Sequence, residues 1–313
     1  MSKIAWTNKT WNPVVGCTKI SSGCDNCYAE RMAVRQSYMA DARLLKNYSQ
    51  LNIITAMAYG KAINKKTRKW TGKTGMNRYH LNKPLHWKKP LMIFVSSMGD
   101  LFHESVPFEF IAKVTDVIRK CPQHTFQILT KRAQRMHDYF HHIMPDHFPP
   151  EMQVLKNLWI GVTAENQEQA DKRIPILLQT PAAVRFVSIE PMLEAVDIKK
   201  YVSLRMRCFG KKGCGFTGPS DEFVNPKRDG AYRCPKCRKT HSYFITNSLD
   251  WVIVGAESGP GKRYIKSAHI HDITCQCKAA GVPCFVKQLH DDNTKKLIKE
   301  PAGWPRKYPK GGE

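Results

Sequence analysis

Cysteine is the residue of this 313-residue chain with the most chemistry to offer, and most of its eleven copies fall into three groups. The first is Gly16-Cys17-Thr-Lys-Ile-Ser-Ser-Gly-Cys24-Asp-Asn-Cys27-Tyr28, with gaps of six and two residues. Three thiolates so spaced can surround one metal centre and leave its fourth coordination position open. The competing reading is a structural zinc site completed by a distant His or Cys. The second group pairs Cys208 with Cys214 and Cys234 with Cys237, with nineteen residues (215–233) between the pairs. That is the spacing of a zinc ribbon, in which four thiolates close a tetrahedron around Zn2+ and the site is structural; His241 is a spare ligand. The third group is Cys275, Cys277 and Cys284. Cys275 and Cys277 stand two apart on a predicted helix and so do not face the same way. These residues, with Cys121, therefore read as buried free cysteines rather than an auxiliary cluster.

Charge is the second signal. Fifty Lys and Arg against 26 Asp and Glu give a net charge of +24, which calls for a polyanionic partner. Residues 61–90 contain ten Lys and Arg and no Asp or Glu, with Trp70, Tyr79 and Trp87 interleaved. A second basic stretch brings Lys211, Lys212, Lys227, Arg228, Arg233, Lys236, Arg238 and Lys239 beside Tyr232, Tyr243 and Phe244. Cations for phosphates and rings for bases together suit a nucleic acid or nucleotide; the plainer reading is a solvated basic face. With 42% hydrophobic residues the chain has a core to bury, which excludes wholesale disorder. No apolar run is long enough to span a bilayer and the first residues lack a signal peptide, so a cytoplasmic protein with no membrane partner is expected.

Six apolar runs must position these groups: Leu91–Ser97, Thr125–Lys131, Leu158–Ala164, Val184–Glu190, Leu249–Gly255 and Val282–Gln288, with a seventh strand at Thr10–Val15. Near-continuous apolar runs are strands buried on both faces. Helical spacing at Phe108–Lys120, Ala133–Ile143, Gln167–Gln179 and Ala268–Ala280 alternates with them, so the fold class is α/β with a parallel sheet, a full or partial (β/α) barrel. The barrel covers 1–199 and 248–313, and 200–247 is an inserted zinc-ribbon module. Each run ends in polar groups, among them Ser97 with Asp100, Lys131, Thr163 with Glu165, Ser188 with Glu190, Glu257, and Lys287. Carboxyl ends of parallel strands are where α/β active sites form, so one shared polar mouth is expected.

Three cysteines after a first strand, the last two as Cys-x-x-Cys before an aromatic, resemble the cluster motif of radical S-adenosylmethionine enzymes. The usual first gap there is three residues; here it is six. A closer resemblance runs along almost the whole chain. It is carried by Thr10-Trp-Asn-Pro-Val-Val-Gly-Cys17, Ser97-Met-Gly-Asp-Leu-Phe-His103, Leu129-Thr-Lys-Arg132, Trp159-Ile-Gly-Val-Thr163, Ser188-Ile-Glu-Pro-Met192, Gly255-Ala-Glu-Ser-Gly-Pro260 and Ala280-Gly-Val-Pro-Cys-Phe-Val-Lys-Gln288. These motifs are similar to a family of phage and prophage proteins that looks like a radical S-adenosylmethionine branch, distantly similar to spore photoproduct lyase.

The resemblance implies a [4Fe–4S] cluster on Cys17, Cys24 and Cys27, with S-adenosylmethionine completing the fourth iron. It implies a cofactor pocket from Tyr28, Ser97, Gly99, Asp100, Thr163, Glu165, Ser188 and Gly255. Lys131, Glu190, Glu257 and Lys287 are the candidates for holding substrate or moving protons. Also implied are a reducing donor of the flavodoxin or ferredoxin type, a bacterial or phage-infected cytoplasm, and a nucleobase substrate such as a hypermodified thymine. Two other readings fit the charge: a zinc-dependent nucleic-acid-binding protein, hydrolytic or not catalytic at all, and a nuclease holding Mg2+ on Asp100, Glu165, Glu190 and Glu257. Neither uses the cysteine triplet as an open metal site.

Overall fold

The computed structural model describes residues 4–144, 154–203, 205–209, 217–219, 233–234, 236–238, 242–246 and 248–309, with 205–209, 217–219 and 242–246 described by their backbone. The main sheet has eight strands: β1 (Lys9–Trp11), β2 (Met92–Val95), β3 (Thr125–Thr130), β4 (Leu158–Thr163), β5 (Val184–Ile189), β6 (Trp251–Gly255), β7 (Cys284–His290) and β8 (Leu297–Lys299). They lie side by side in chain order, β1 to β7 parallel and β8 antiparallel. Such an order gives every crossover the same hand and brings the connecting helices to one face. Among the described residues β1 and β8 are the two edges of an open sheet, so closure into a full barrel is not seen.

The longer helices are α1 (Tyr28–Lys46), α2 (Gln50–Ala62), α3 (Phe108–Arg119), α4 (Ala133–Asp138, extended by a π turn over Tyr139–Ile143), α5 (Gln167–Gln179) and α6 (Ser267–Ala280). In α3 the apolar residues recur at helical spacing, and Phe110, Ile111, Val114, Val117 and Ile118 are all buried. Each such side chain contributes about 1.5–3 kcal/mol on leaving water. They join Ile93, Phe126, Ile128, Ile160, Val187 and Val252 of the strands in the main core. The opposite face carries a second, aromatic cluster of Trp6, Phe94, Trp159, Phe186, Trp251, Ile253 and Phe285. Residues of both faces are therefore apolar, which is why the strands read as unbroken runs.

Two sequence expectations need correction, and one segment without an assignment gains its structure. The strand expected over Thr10–Val15 divides: Lys9–Trp11 joins the sheet, while Val14–Val15 pairs with Gly75–Met76. Residues 28–62, unassigned from sequence, form α1 and α2, which meet over Ala33, Val34, Ala40, Ala58, Tyr59 and Ala62. Cys275 is exposed, because α6 turns Cys277 inward and its neighbour two positions back outward. Cys121, Cys277 and Cys284 are buried.

Within the insertion the described backbone forms a three-stranded antiparallel sheet with Arg205–Phe209 in the middle. Cys214, Lys211, Lys212, Lys227, Arg228, Tyr232, Lys239 and His241 lie outside the described residues, as do the side chains of Cys208, Tyr243 and Phe244. Cys234 is buried and Cys237 half-buried. No helix among the described residues is long and apolar enough to cross a membrane.

One close contact tests the packing of the aromatic face. Gly161 of β4 stands opposite Phe186 of β5, and a Cβ added at Gly161 would fall 2.5 Å from the Phe186 ring. Gly161→Ala is expected to cost about 1–3 kcal/mol, the usual penalty of overpacking a core, read as a lower urea midpoint. An unchanged midpoint would show that the ring yields freely.

Candidate active site

The loop that carries the first cysteine group crosses the carboxyl ends of the strands. It enters at Gly16, whose backbone N donates to the Met98 carbonyl (2.9 Å) at the end of β2. There two backbones touch: a Cβ on Gly99 would lie 2.7 Å from the Gly16 carbonyl oxygen, so that position has to be glycine. Three buried carboxylates at strand ends then fasten the loop, each working with an arginine.

After β2, Asp100 accepts from the Thr130 hydroxyl (2.8 Å), the Phe102 backbone N (2.9 Å) and Arg132 Nη1 (3.0 Å). Arg132, 6% exposed, also donates from Nε to Glu104 (2.9 Å) and from Nη2 to the Thr18 hydroxyl (2.6 Å), and its Nη1 lies 3.5 Å from Cys17 Sγ. His103 meets the same Thr18 hydroxyl at 3.1 Å. After β4, Glu165 accepts from Arg173 Nη1 of α5 (2.9 Å) and from the backbone N of Gly23 (3.3 Å). After β6, Glu257 accepts from Asn26 Nδ2 (3.0 Å) and from the Nε (3.0 Å) and Nη2 (2.6 Å) of Arg263. Arg263 reaches on to the Ser22 carbonyl (3.0 Å) and Asp25 (3.2 Å). The beginning, middle and end of the cysteine loop are thus held by different strands.

Electrostatics follow from this arrangement. Burial pushes the Glu165 carboxyl up, but Arg173, a Ser21 hydrogen bond and the Lys131 charge outweigh it and hold it below the ordinary glutamate range. Burial opposes and Arg263 with Asn26 prevail at Glu257, which is also lowered. The Cys17 thiol is pushed up to about 12, by burial first and by Asp100 second, with Arg132 working the other way. Tyr28 is raised by burial and by the charges of Cys27 and Glu190 around its hydroxyl. The residue as a whole is nonetheless 43% exposed.

The expected residues divide into two sets. Asp100, Glu165 and Glu257 have their oxygens engaged by arginines and backbone, and act here as anchors. Glu190 and Lys287 form an ion pair across β5 and β7. Near them Tyr28 donates to the Ser97 carbonyl (3.2 Å), and Ser97 Oγ donates to Asn12 (3.1 Å). Thr163 and Ser188 are register partners on β4 and β5, both buried. Lys131 is half-buried, with its charge felt at Glu165. Gly255 gives its carbonyl to the Met192 backbone N (2.9 Å). A Mg2+ site on Asp100, Glu165, Glu190 and Glu257 would first have to break four ion pairs.

Among the described residues no three His, Cys, Asp or Glu side chains are gathered closely enough to hold a metal ion. Cys17 is turned to Arg132, and Cys24 Sγ lies 3.9 Å from Ser21 Oγ. The donor set still fits a three-thiolate iron–sulfur group in kind and place: Cys17, Cys24 and Cys27 share one fastened loop over the strand ends, and Cys17 feels the charge of Cys24.

Sequence reasoning missed Arg132, Arg173, Arg263 and Asn26. A buried carboxylate needs a cation, so the arginines eight residues after Glu165 and six after Glu257 could have been sought within the same strand–helix units. Arg132 belongs to the unit after that of Asp100 and leaves no such local signal.

A protein-family model described as "Protein of unknown function (DUF5131)" matches residues 1–305, and the chain belongs to that family. No curated protein and no solved structure matches it.

Glu165→Gln would leave Arg173 buried without its anion, a loss of about 3–5 kcal/mol when a buried pair is broken. The buried Cys24 thiol should then react with a disulfide reagent at pH 8 at least about tenfold faster, the factor that 1.4 kcal/mol of easier opening already produces. Equal rates would show that Glu165 does not hold the loop. The lowered values of Glu165 and Glu257 mean that their stabilisation is complete above the unfolded glutamate value, about 4.3, and is lost as pH falls through the lower folded values. The urea midpoint of the wild type should therefore drop below about pH 4, and less steeply in Glu165→Gln.

Proposed function

We propose that the chain is a radical S-adenosylmethionine enzyme on a partial (β/α) barrel, with Cys17, Cys24 and Cys27 holding a [4Fe–4S] cluster and a nucleobase or nucleotide as substrate. The observation that carries this reading is the three-cysteine loop fastened at both ends and its middle across the carboxyl ends of parallel strands in chain order. A purely structural zinc site would not need three strand ends to aim it. When bound, the cluster and S-adenosylmethionine supply a 5′-deoxyadenosyl radical that takes one hydrogen atom from the substrate.

The chain's own residues do the remaining work. Arg132 favours the Cys17 thiolate against burial, and a metal bound there would displace the thiol proton to solvent. The hydroxyls of Thr163 and Ser188 offer hydrogen bonds to the cofactor, and the turn from Ser97 to Gly99, whose own backbone groups are held by Tyr28, Gly16 and Asn12, shapes the pocket beside them. Lys131 presents a cation to an anionic substrate, while the Glu190–Lys287 pair and Tyr28 hold or move protons beside it. The aromatic cluster under the mouth excludes water from the inner face. Zn2+ on Cys208, Cys214, Cys234 and Cys237 would be structural. Support for that site is the turn in which Arg238 N donates to the Cys234 carbonyl (2.8 Å), with Arg238 in the left-handed region. Such an enzyme works in the cytoplasm with a flavodoxin- or ferredoxin-type donor.

Anaerobic reconstitution with iron and sulfide tests the reading. The wild type should gain about four irons with labile sulfide and, with dithionite and S-adenosylmethionine, release 5′-deoxyadenosine. Cys24→Ala should lose both, whereas Cys234→Ala should lose zinc and keep the iron. Zinc in the wild type without sulfide or cofactor cleavage would overturn the proposal in favour of zinc-dependent nucleic-acid binding.

A further inference from the structure

We infer that the face built from α1 and the hairpin Ile63–Trp70 is a track that guides single-stranded nucleic acid to the cysteine loop. Only the naming of that strand as substrate rests on the proposed function; its binding needs no chemistry.

The hairpin pairs Ile63 with Trp70 and Asn64 with Lys69, and its turn carries Lys65, Lys66 and Arg68. It is fastened to the start of α1 by one buried carboxylate. Glu30, three residues beyond Cys27, accepts from the Trp70 backbone N (3.0 Å) and pairs with Lys69 (3.5 Å) and Lys19 (3.6 Å). Lys19 also donates to the Asp25 carbonyl (3.0 Å) inside the cysteine loop. The basic hairpin and the candidate active site are therefore hung from the same group.

Between Tyr28 and Met39 the exposed residues of α1 are Tyr28, Arg31, Met32, Arg35, Tyr38 and Met39, two rings, two cations and two methionines on one side of the helix; the acid that follows, half-buried Asp41, is paired with Lys65. From Tyr28 in the mouth to Met39 this stripe runs roughly 16 Å at 1.5 Å per residue. Lys65 lies 5.8 Å from the centre of the Tyr38 ring, which is 50% exposed. Arg35, Lys61, Lys66, Arg68 and Lys73 are exposed and have no acidic partner among the described residues. A single strand offers phosphates to such cations and base faces to such rings, whereas a duplex keeps its base faces stacked inside. A base must also leave its stack to enter a mouth between strand ends, and an unpaired strand does so at least cost. An acidic protein would use the cations alone.

The test is fluorescence anisotropy of a labelled thymine-containing 20-mer, single-stranded and as duplex, over a salt series with the full chain. Wild-type protein should bind the single strand more tightly than the duplex. The triple variant Arg35→Glu, Lys66→Glu, Lys73→Glu should bind at least tenfold more weakly, with a log–log salt slope smaller by about 2, from roughly 0.7 per phosphate contact on a single strand. Tyr38→Ala should weaken single-strand binding at least about fivefold, since one stacked base is worth about 1–3 kcal/mol. Lys113→Glu, Lys172→Glu, Lys278→Glu makes the same charge change on the outer helices and should leave both affinity and slope nearly unchanged. The inference is overturned if the outer triple weakens binding as much as the first. A duplex held as tightly as the single strand, with Tyr38→Ala silent, would also overturn it. Iron content and 5′-deoxyadenosine release are measured separately on each variant, so a chain that binds the strand but holds no iron would refute the reaction and leave the track standing.

Discussion

A carboxylate removed from water must find a cation, and this protein uses that requirement to build its mouth. Asp100, Glu165 and Glu257 are each 5% exposed or less and sit at the ends of three different parallel strands. Each has drawn an arginine to itself, and each carboxylate–arginine unit also grips a part of the cysteine loop. Placement of the loop is thereby tied to the register of the sheet. Strand order and strand ends, which follow from apolar runs and their polar punctuation, decide where the thiols stand.

The sheet was legible because strands buried on both faces leave a signal that needs no partner to interpret. Observed strands fall within a few residues of the apolar runs, and Gln167–Gln179 is a helix over the span its spacing predicts. Residues 28–62 gave no such signal for two reasons. α1 exposes Tyr28, Met32, Tyr38 and Met39, so apolar residues lie on its outer side as well. α2 reads Gln-Leu-Asn-Ile-Ile-Thr-Ala-Met-Ala-Tyr-Gly-Lys-Ala, apolar around most of its circumference, with Met57 also exposed. The mouth was legible as a location but not as a division of labour. Glu190, Lys287 and Tyr28 come together there, while the other acids became anchors because their arginines come from loops and helices that residue type at a strand end does not foretell.

The distribution of charge follows from the same constraint. Acids are the scarcer kind in this chain, 26 against 50 cations, and several of them are committed inside, Glu30 among them. Cations of the 61–90 segment consequently meet few acids at the surface, and ten of the 24 net positive charges are concentrated in those thirty residues.

The aromatic cluster has a consequence for traffic. Trp6, Phe94, Trp159, Phe186, Trp251 and Phe285 fill the inner face of the sheet, with Tyr308 packed on Trp251 and the Trp251 indole N donating to the Lys307 carbonyl (2.8 Å). Among the described residues, a face packed in this way offers no second entrance. On the proposed function, a molecule that enters from the side of the strand ends would leave by the same side, and a long ligand would lie across the mouth rather than thread through it.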